Sequence, residues 1–284
     1  MDKKLINRKR LWWLASYPKS GSTWVRMFLN AYITGFPPDI NAAWQYVTGD
    51  LQLNMYQITA AQPVDRMTDV DSFYYRPAVL INHILMSHTP DKTLKTHNAK
   101  VEVDGMPLIP PKLSRGALYI VRDPRDVAVS FAHHLNCTID ETIDKMGNKA
   151  MTLVKDDSNL YHILSSWSTH VDSWTIHNED VVCGVVRYED LLTKPEDSWI
   201  SVLKVLGLSV DTDKMWKSLD AVKFSKLQKQ EQDKGFQENG KGSIFFRNGK
   251  IGDWEHTLTD KQISLIEENH CQTMKRFNYL KTGE

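Results

Sequence analysis

The 284-residue sequence contains only three cysteines, Cys137, Cys183 and Cys271, an odd number, far apart and in no metal-type spacing. That excludes a disulfide framework and a cysteine-held zinc, and it points to a reduced, intracellular protein. Long apolar runs are missing too, since no window approaches the ~18 residues of a membrane span. After the basic start, Met1 to Arg10, the apolar stretch Leu11-Trp12-Trp13-Leu14-Ala15 ends at Ser16, too short for the hydrophobic region of a signal peptide. A cytoplasmic protein without an anchor is expected. Neither charge sign is in excess: 35 Lys+Arg balance 35 Asp+Glu, which speaks against a nucleic-acid coat or a membrane-surface binder. With no internal repeat, no low-complexity tract and 41% hydrophobic residues, the composition excludes disorder, collagen and coiled coil.

The zero balance hides segregation. Residues 1–35 carry seven Lys/Arg and one Asp, and residues 214–250 carry nine Lys/Arg and four Asp/Glu, whereas residues 39–71 carry one Arg and five Asp. The two basic blocks are candidates to meet a common anion.

The run Leu11 to Tyr17 reads as a buried strand, followed by the tight polar turn Pro18-Lys19-Ser20-Gly21-Ser22 and a helix from Trp24 to Ile33 that stops at Gly35-Phe36-Pro37-Pro38. Residues 39–95 read as irregular and aromatic-rich, with helix around Arg76 to Ser87. Gly116 to Val121 is a second strand, and Asp123 as N-cap with Pro124 at the first helical position opens a helix through Leu135. Val181 to Arg187 is a third strand, before a helix from Pro195 to Leu206. Residues 228–252 read as a polar mobile loop, and Thr259 to Phe277 as a final amphipathic helix. Strands alternating with helices imply an α/β fold with a central parallel sheet flanked by helices, and ligands at the strands' carboxyl ends.

The segment Tyr17-Pro18-Lys19-Ser20-Gly21-Ser22-Thr23-Trp24 lies between a strand and a helix. It reads either as a capped turn or as a phosphate site, where free amides and the helix dipole bind the anion and Gly21 lets the backbone approach. The Walker A spacing is absent, because no glycine precedes Lys19 at the required step and Gly21 follows it. The second segment, Val121-Arg122-Asp123-Pro124-Arg125-Asp126-Val127-Ala128-Val129-Ser130, offers a guanidinium and a hydroxyl as an anion clamp, unless Arg122 only pairs with Asp126. Lys95-Thr96-His97 places a histidine beside a cation, suited to removing a proton from a hydroxyl while negative charge develops nearby, or it is a surface histidine, one of ten. Tyr188, in Arg187-Tyr188-Glu189-Asp190, stacks on a base or packs. Phe245 to Trp254 is a basic, glycine-hinged loop that could fold over an anion or lie exposed.

In this order, from about residue 11 to residue 254, the segments resemble the sulfotransferase family that uses 3'-phosphoadenosine 5'-phosphosulfate (PAPS). Tyr17 to Trp24 looks like that family's 5'-phosphosulfate loop, Arg122 to Ser130 like its 3'-phosphate motif, Lys95-Thr96-His97 like the segment holding its base, and Arg247-Asn248-Gly249-Lys250-Ile251-Gly252-Asp253-Trp254 like its C-terminal cofactor loop. The resemblance implies a single P-loop-NTPase-like domain over residues 1–284, with a core of about 11–277 and acceptor-site segments of about 36–95 and 136–160. It implies that Lys19, Ser20, Gly21, Ser22, Thr23 and Trp24 hold the 5' side. Arg122, Ser130, Arg247, Asn248 and Gly249 would hold the 3'-phosphate, with Tyr188 and Phe224 around adenine. His97 would be the base, with Lys19, Lys95 and Ser130 assisting the transfer to a hydroxyl of a small-molecule acceptor. No metal is implied, nor a nucleic-acid or membrane partner.

The family's usual Arg-Lys-Gly reads Arg247-Asn248-Gly249 here, so one cation is missing, for which Lys250, Lys241 or Arg125 could substitute. A short segment through which some relatives dimerise keeps only Thr259 within Glu255 to Ser264, which favours a monomer. Trp44, Tyr46 and Tyr75 suggest a flat or apolar acceptor, or plain core. The cofactor side is expected to be positive and the acceptor side neutral to acidic. A P-loop-type small-molecule kinase and a non-catalytic nucleotide-binding relative are the alternatives, disfavoured by the missing Gly-Lys and by the retained Lys95 and His97.

Overall fold

The computed structural model of the chain describes residues 9–42, 45–63, 66–87, 89, 91–153, 160–176, 180–238 and 244–280. Its centre is a five-stranded sheet made of β1 (Leu11–Ser16), β2 (Val47–Gly49), β3 (Lys92–Thr96), β4 (Ser114–Val121) and β5 (Cys183–Arg187), in the order β2-β3-β1-β4-β5. Every neighbouring pair is parallel. Parallel strands need crossover connections, and these are the helices that cover both faces.

Alternation along β1 and β4 feeds two cores. Trp13, Ala15, Tyr119 and Val121 point to one face and pack with α4 (Pro124–Leu135), α6 (Trp167–Thr175) and α11 (Asp260–Arg276). Leu14, Leu118 and Ile120 point to the other, against α1 (Ser22–Thr34), α8 (Pro195–Val205) and α9 (Thr212–Ala221). A smaller cluster around Met55, Tyr56 and Val79 lies beneath α2 (Leu53–Ala60) and α3 (Asp69–Leu85). The remaining helices are α5 (Ile139–Gly147), α7 (Tyr188–Thr193) and α10 (Phe224–Lys234).

Residues 39–95 are more regular than their composition suggests, since they contain β2, α2, α3 and β3. Helix α3 starts seven residues before Arg76, set by a capping box between Thr68 and Asp71. The expected loop at 228–252 begins inside α10, whose single buried residue is Leu227. A helix this polar overall reads from sequence as a polar loop.

Chain order places the site. From β1 the chain runs outward to β2 and returns through β3, and β4 and β5 then fill the opposite side. The connections beside β1 therefore diverge, opening a crevice at its carboxyl end.

Candidate functional site

A cavity of about 1350 Å³ occupies this crevice. It is walled by the segments that follow β1, β3, β4 and β5 and by Phe245 to Lys250. Every residue expected at the site lines it except Ser20, which is 1% exposed and whose Oγ has no hydrogen-bond partner.

The loop after β1 is built to present backbone amides. Lys19 adopts a left-handed φ of 65°, and Gly21, with φ of 101°, is the N-cap of α1. No side chain caps this helix and no acidic residue lies in its first turn, so its first amides and positive dipole end remain available to an anion. Gly21 is required on two counts: its φ is costly for other residues, and an added Cβ would lie 2.6 Å from the Tyr188 ring. The Lys19 ammonium sits 4.0 Å from the Phe245 ring centroid. Burial, reinforced by Lys95 and Arg122, lowers its pKa to about 8.

Arg122, at the end of β4, joins three segments of the wall. Its Nη1 donates to the Lys19 carbonyl at 3.1 Å and its Nη2 to the Lys250 carbonyl at 3.0 Å, and its guanidinium lies 4.4 Å from the Tyr188 ring centroid. Its buried Nε has no hydrogen-bond partner. Asp126 is only a loose partner at 3.7 Å, because its oxygens accept from the amides of Gly252 at 2.9 Å and Trp254 at 3.2 Å.

The C-terminal segment is anchored rather than loose. Phe245 and Phe246 amides donate to Glu231, and Tyr188 Oη donates to the Gly249 carbonyl at 3.2 Å. Gly249 has φ of 63°, and a Cβ there would meet the Phe224 ring at 2.3 Å. Arg247 pairs with Asp253, to which Asn248 also donates at 2.7 Å. Trp24, expected beside adenine, is edge-on to Tyr188 with centroids 6.0 Å apart.

Across the cavity, His97 Nδ1 lies 2.7 Å from the Ser16 carbonyl. A carbonyl only accepts, so Nδ1 carries the proton and the neutral ring keeps its lone pair on Nε2. Burial and the nearby Lys95 hold the His97 pKa well below its ordinary value. Lys95 is itself lowered to about 8, by burial and then by Arg26. Arg26, 2% exposed, makes a two-pronged pair with Glu238 at 2.6 and 2.7 Å. Asp50 also lines the wall, held by Arg76 at 2.6 Å.

Arg26 and Asp50 lie in none of the motif segments. A lone cation in the apolar run from Trp24 to Ile33 was the available signal for Arg26. Tyr75 packs into the small third core and Tyr46 lies off the wall at 37% exposure, so neither supports an apolar acceptor. Trp44 and Lys241 lie outside the described residues. Arg125 is committed to Asp123, Glu267 and the Trp254 ring, whereas Lys250 lines the cavity. Among the described residues no group of His, Cys, Asp or Glu could hold a metal ion, and no helix is long and apolar enough to cross a membrane.

The model of the sulfotransferase domain matches residues 9–278. An amine sulfotransferase of Oryctolagus cuniculus is 24% identical over 278 residues, covering 92% of this chain and 80% of that protein. Cytosolic sulfotransferase 13 of Arabidopsis thaliana is also 24% identical, over 92% of this chain and 75% of its own length. Among solved structures, retinol dehydratase in complex with androsterone and the inactive cofactor PAP superposes with a TM-score of 0.65 at 18% identity, covering 93% of this chain and 80% of that one. Mouse sulfotransferase SULT7A1 complexed with PAP gives 0.60 at 22% identity, covering 96% and 90%. These likenesses extend to the fold, and since the domain model spans nearly all of the sequence, the chain belongs to the PAPS-dependent sulfotransferase family.

Proposed function

We propose that this chain, acting as one domain, moves the sulfuryl group of PAPS to a hydroxyl of a small-molecule acceptor, giving a sulfate ester and 3',5'-ADP. The observation that carries this reading is the pairing, across one cavity, of an uncapped phosphate loop with a neutral histidine whose Nδ1 proton is fixed on the Ser16 carbonyl. The cavity fits the nucleotide in three respects: the open amides of α1, the unpartnered Arg122 Nε, and the two glycines whose missing Cβ atoms leave room against Tyr188 and Phe224.

The α1 amides, Ser22, Thr23 and Lys19 hold the 5' side. Arg122, Ser130 and Arg247 hold the 3'-phosphate, and Lys250 replaces the cation lost at Asn248. Trp24, Tyr188 and Phe224 enclose adenine. In the transfer, the bond from sulfur to the 5'-phosphate oxygen breaks as the acceptor oxygen bonds sulfur, and the acceptor proton passes to His97 Nε2. Such a loose in-line displacement gathers charge on the leaving oxygen, where Lys19 compensates it, with Lys95 close to the moving group.

A thermal-shift comparison tests the nucleotide. 3',5'-ADP is expected to stabilise the protein more than ATP or GTP, and stabilisation by ATP without the bisphosphate would refute the reading.

A further inference from the structure

Behind His97 lies a chain of hydrogen bonds that none of the expected site residues explains. His97 Nδ1 donates to the Ser16 carbonyl at 2.7 Å. The backbone carbonyl of His97 in turn faces Nε2 of His170 at 3.0 Å. Because a carbonyl accepts only, His170 carries its proton on Nε2, and its Nδ1 therefore accepts from Tyr119 Oη at 2.8 Å. One run of hydrogen bonds thus links Tyr119, His170, the His97 backbone, the His97 ring and the Ser16 carbonyl.

The groups behind His97 are shielded. His170, Tyr119, Tyr17 and Ser16 are each 0% exposed. The His170 ring is also wedged edge-on against Tyr17 at 5.3 Å, and burial lowers its pKa to about 4, so it stays neutral and keeps one donor and one acceptor. His170 does not line the cavity and cannot touch a ligand there. Its position on α6 lets it fix the far side of the His97 backbone while Ser16 fixes the ring.

We propose that His170, set in its tautomer by Tyr119, is a positioning residue for the His97 base, holding the His97 backbone so that Nε2 keeps its aim across the cavity toward the acceptor. Two restraints act on His97: the ring bond to Ser16 fixes the tautomer, and the carbonyl bond to His170 fixes the main chain from which the ring projects. Ser16 leads through Tyr17 into Pro18-Lys19, so the bond to its carbonyl also ties the base to the phosphate loop. Linked hydrogen bonds in a dry interior strengthen one another, and a displacement of about 1 Å at a reacting group can cost about 100-fold in rate. This inference rests on the proposed role of His97.

The test compares His170→Leu, which removes both hydrogen bonds at similar volume, with His170→Gln, which supplies an N–H in place of Nε2. The readouts are kcat with PAPS and a turned-over acceptor, affinity for 3',5'-ADP, and the imidazole ¹⁵N shifts of His97. In His170→Leu, kcat is expected to fall by about 10- to 100-fold with bisphosphate affinity within twofold of the wild type, and His170→Gln to recover most of the loss. The His97 ¹⁵N shifts are expected to report Nδ1–H in the wild type and a weakened Nδ1–H bond to the Ser16 carbonyl in His170→Leu, where the loosened main chain no longer holds the ring in place. An unchanged kcat in His170→Leu, or a parallel loss of bisphosphate binding, would overturn the proposal. Should His170→Leu not fold, Tyr119→Phe, which frees His170 to switch tautomer, carries the same expectations. Wild-type protein that transfers no sulfate would count against the function itself, and the ¹⁵N shifts then still decide whether His170 orders His97.

Discussion

The Arg122 guanidinium donates from Nη1 to the Lys19 backbone carbonyl at 3.1 Å, so the cation at the end of β4 and the loop after β1 hold each other in place. Arg122 thereby fixes the loop that carries Lys19, and in the proposed function it also meets the 3'-phosphate. Charged donors contribute about 1.5–3 kcal/mol per hydrogen bond. Arg122→Ala is expected to weaken 3',5'-ADP binding by about 100-fold or more, and Arg122→Lys, which keeps the charge but not the fork, by about 10-fold. Calorimetric titration of both variants checks this, and an Arg122→Lys affinity equal to that of the wild type would contradict it.

Gly249 makes a second, independent prediction. Its φ of 63° and the 2.3 Å approach of Phe224 leave no room for a methyl group. Gly249→Ala should displace the Phe224 ring and the Gly249 carbonyl that Tyr188 bonds, weakening bisphosphate binding by about 1–3 kcal/mol while the two sheet-face cores remain intact. Titration of the nucleotide, with circular dichroism as the control on folding, separates the two effects.

Lys19 and Lys95 set a pH signature. Both have folded pKa values of about 8, below the ordinary 10.5, chiefly through burial. Between about pH 8 and pH 10.5 the unfolded chain therefore binds more protons than the folded one, and these lysines make stability rise with pH in that window. Below about pH 8 both states are protonated and the destabilisation is fully present. In urea titrations, the stability gap between wild type and Lys95→Met should narrow as pH rises from about 8 to 10. Bound 3',5'-ADP reverses the shift on Lys19, so binding near pH 8 is expected to take up protons and to weaken at higher pH, as calorimetry in buffers of different ionisation enthalpy would reveal.

Asn248 marks where a cation is missing. Its amide donates to the Asp253 carboxylate at 2.7 Å and brings no positive charge to a phosphate. Asn248→Lys is expected to tighten 3',5'-ADP binding by about 10-fold at low salt, with the gain shrinking at higher ionic strength. Lys250→Ala should weaken binding by a similar factor. Titrations at two salt concentrations test both, and an unaffected Lys250→Ala would remove Lys250 from the 3'-phosphate set.

The parts of this molecule that were legible in the sequence are those in which chemistry and local structure coincide. The buried strand β1, its glycine turn and the Asp123-Pro124 helix start carry backbone signals as well as charged groups, so their places at the sheet edge were readable. Strand β3 was not, because Lys92-Thr93-Leu94-Lys95-Thr96 buries only Leu94 and Thr96, too few apolar residues to mark a strand. Helix α10 is polar on nearly every face. Arg26, Asp50 and His170 reach the site or its support through pairings far apart along the chain: Arg26 with Glu238, Asp50 with Arg76, and His170 with Tyr119 and His97. Such partners become visible only once the fold brings them together.

The most direct test of the sulfotransferase reading is a paired measurement on wild type and His97→Asn: transfer of labelled sulfuryl from PAPS to a pooled panel of alcohols and phenols, alongside 3',5'-ADP affinity. Asparagine can still donate to the Ser16 carbonyl but cannot take a proton. The expected result is transfer by the wild type, a fall of about 10²- to 10⁴-fold in His97→Asn, and bisphosphate affinity within twofold. Transfer by His97→Asn at the wild-type rate, or nucleotide affinity lost in step with activity, would contradict the assignment of His97 as the base.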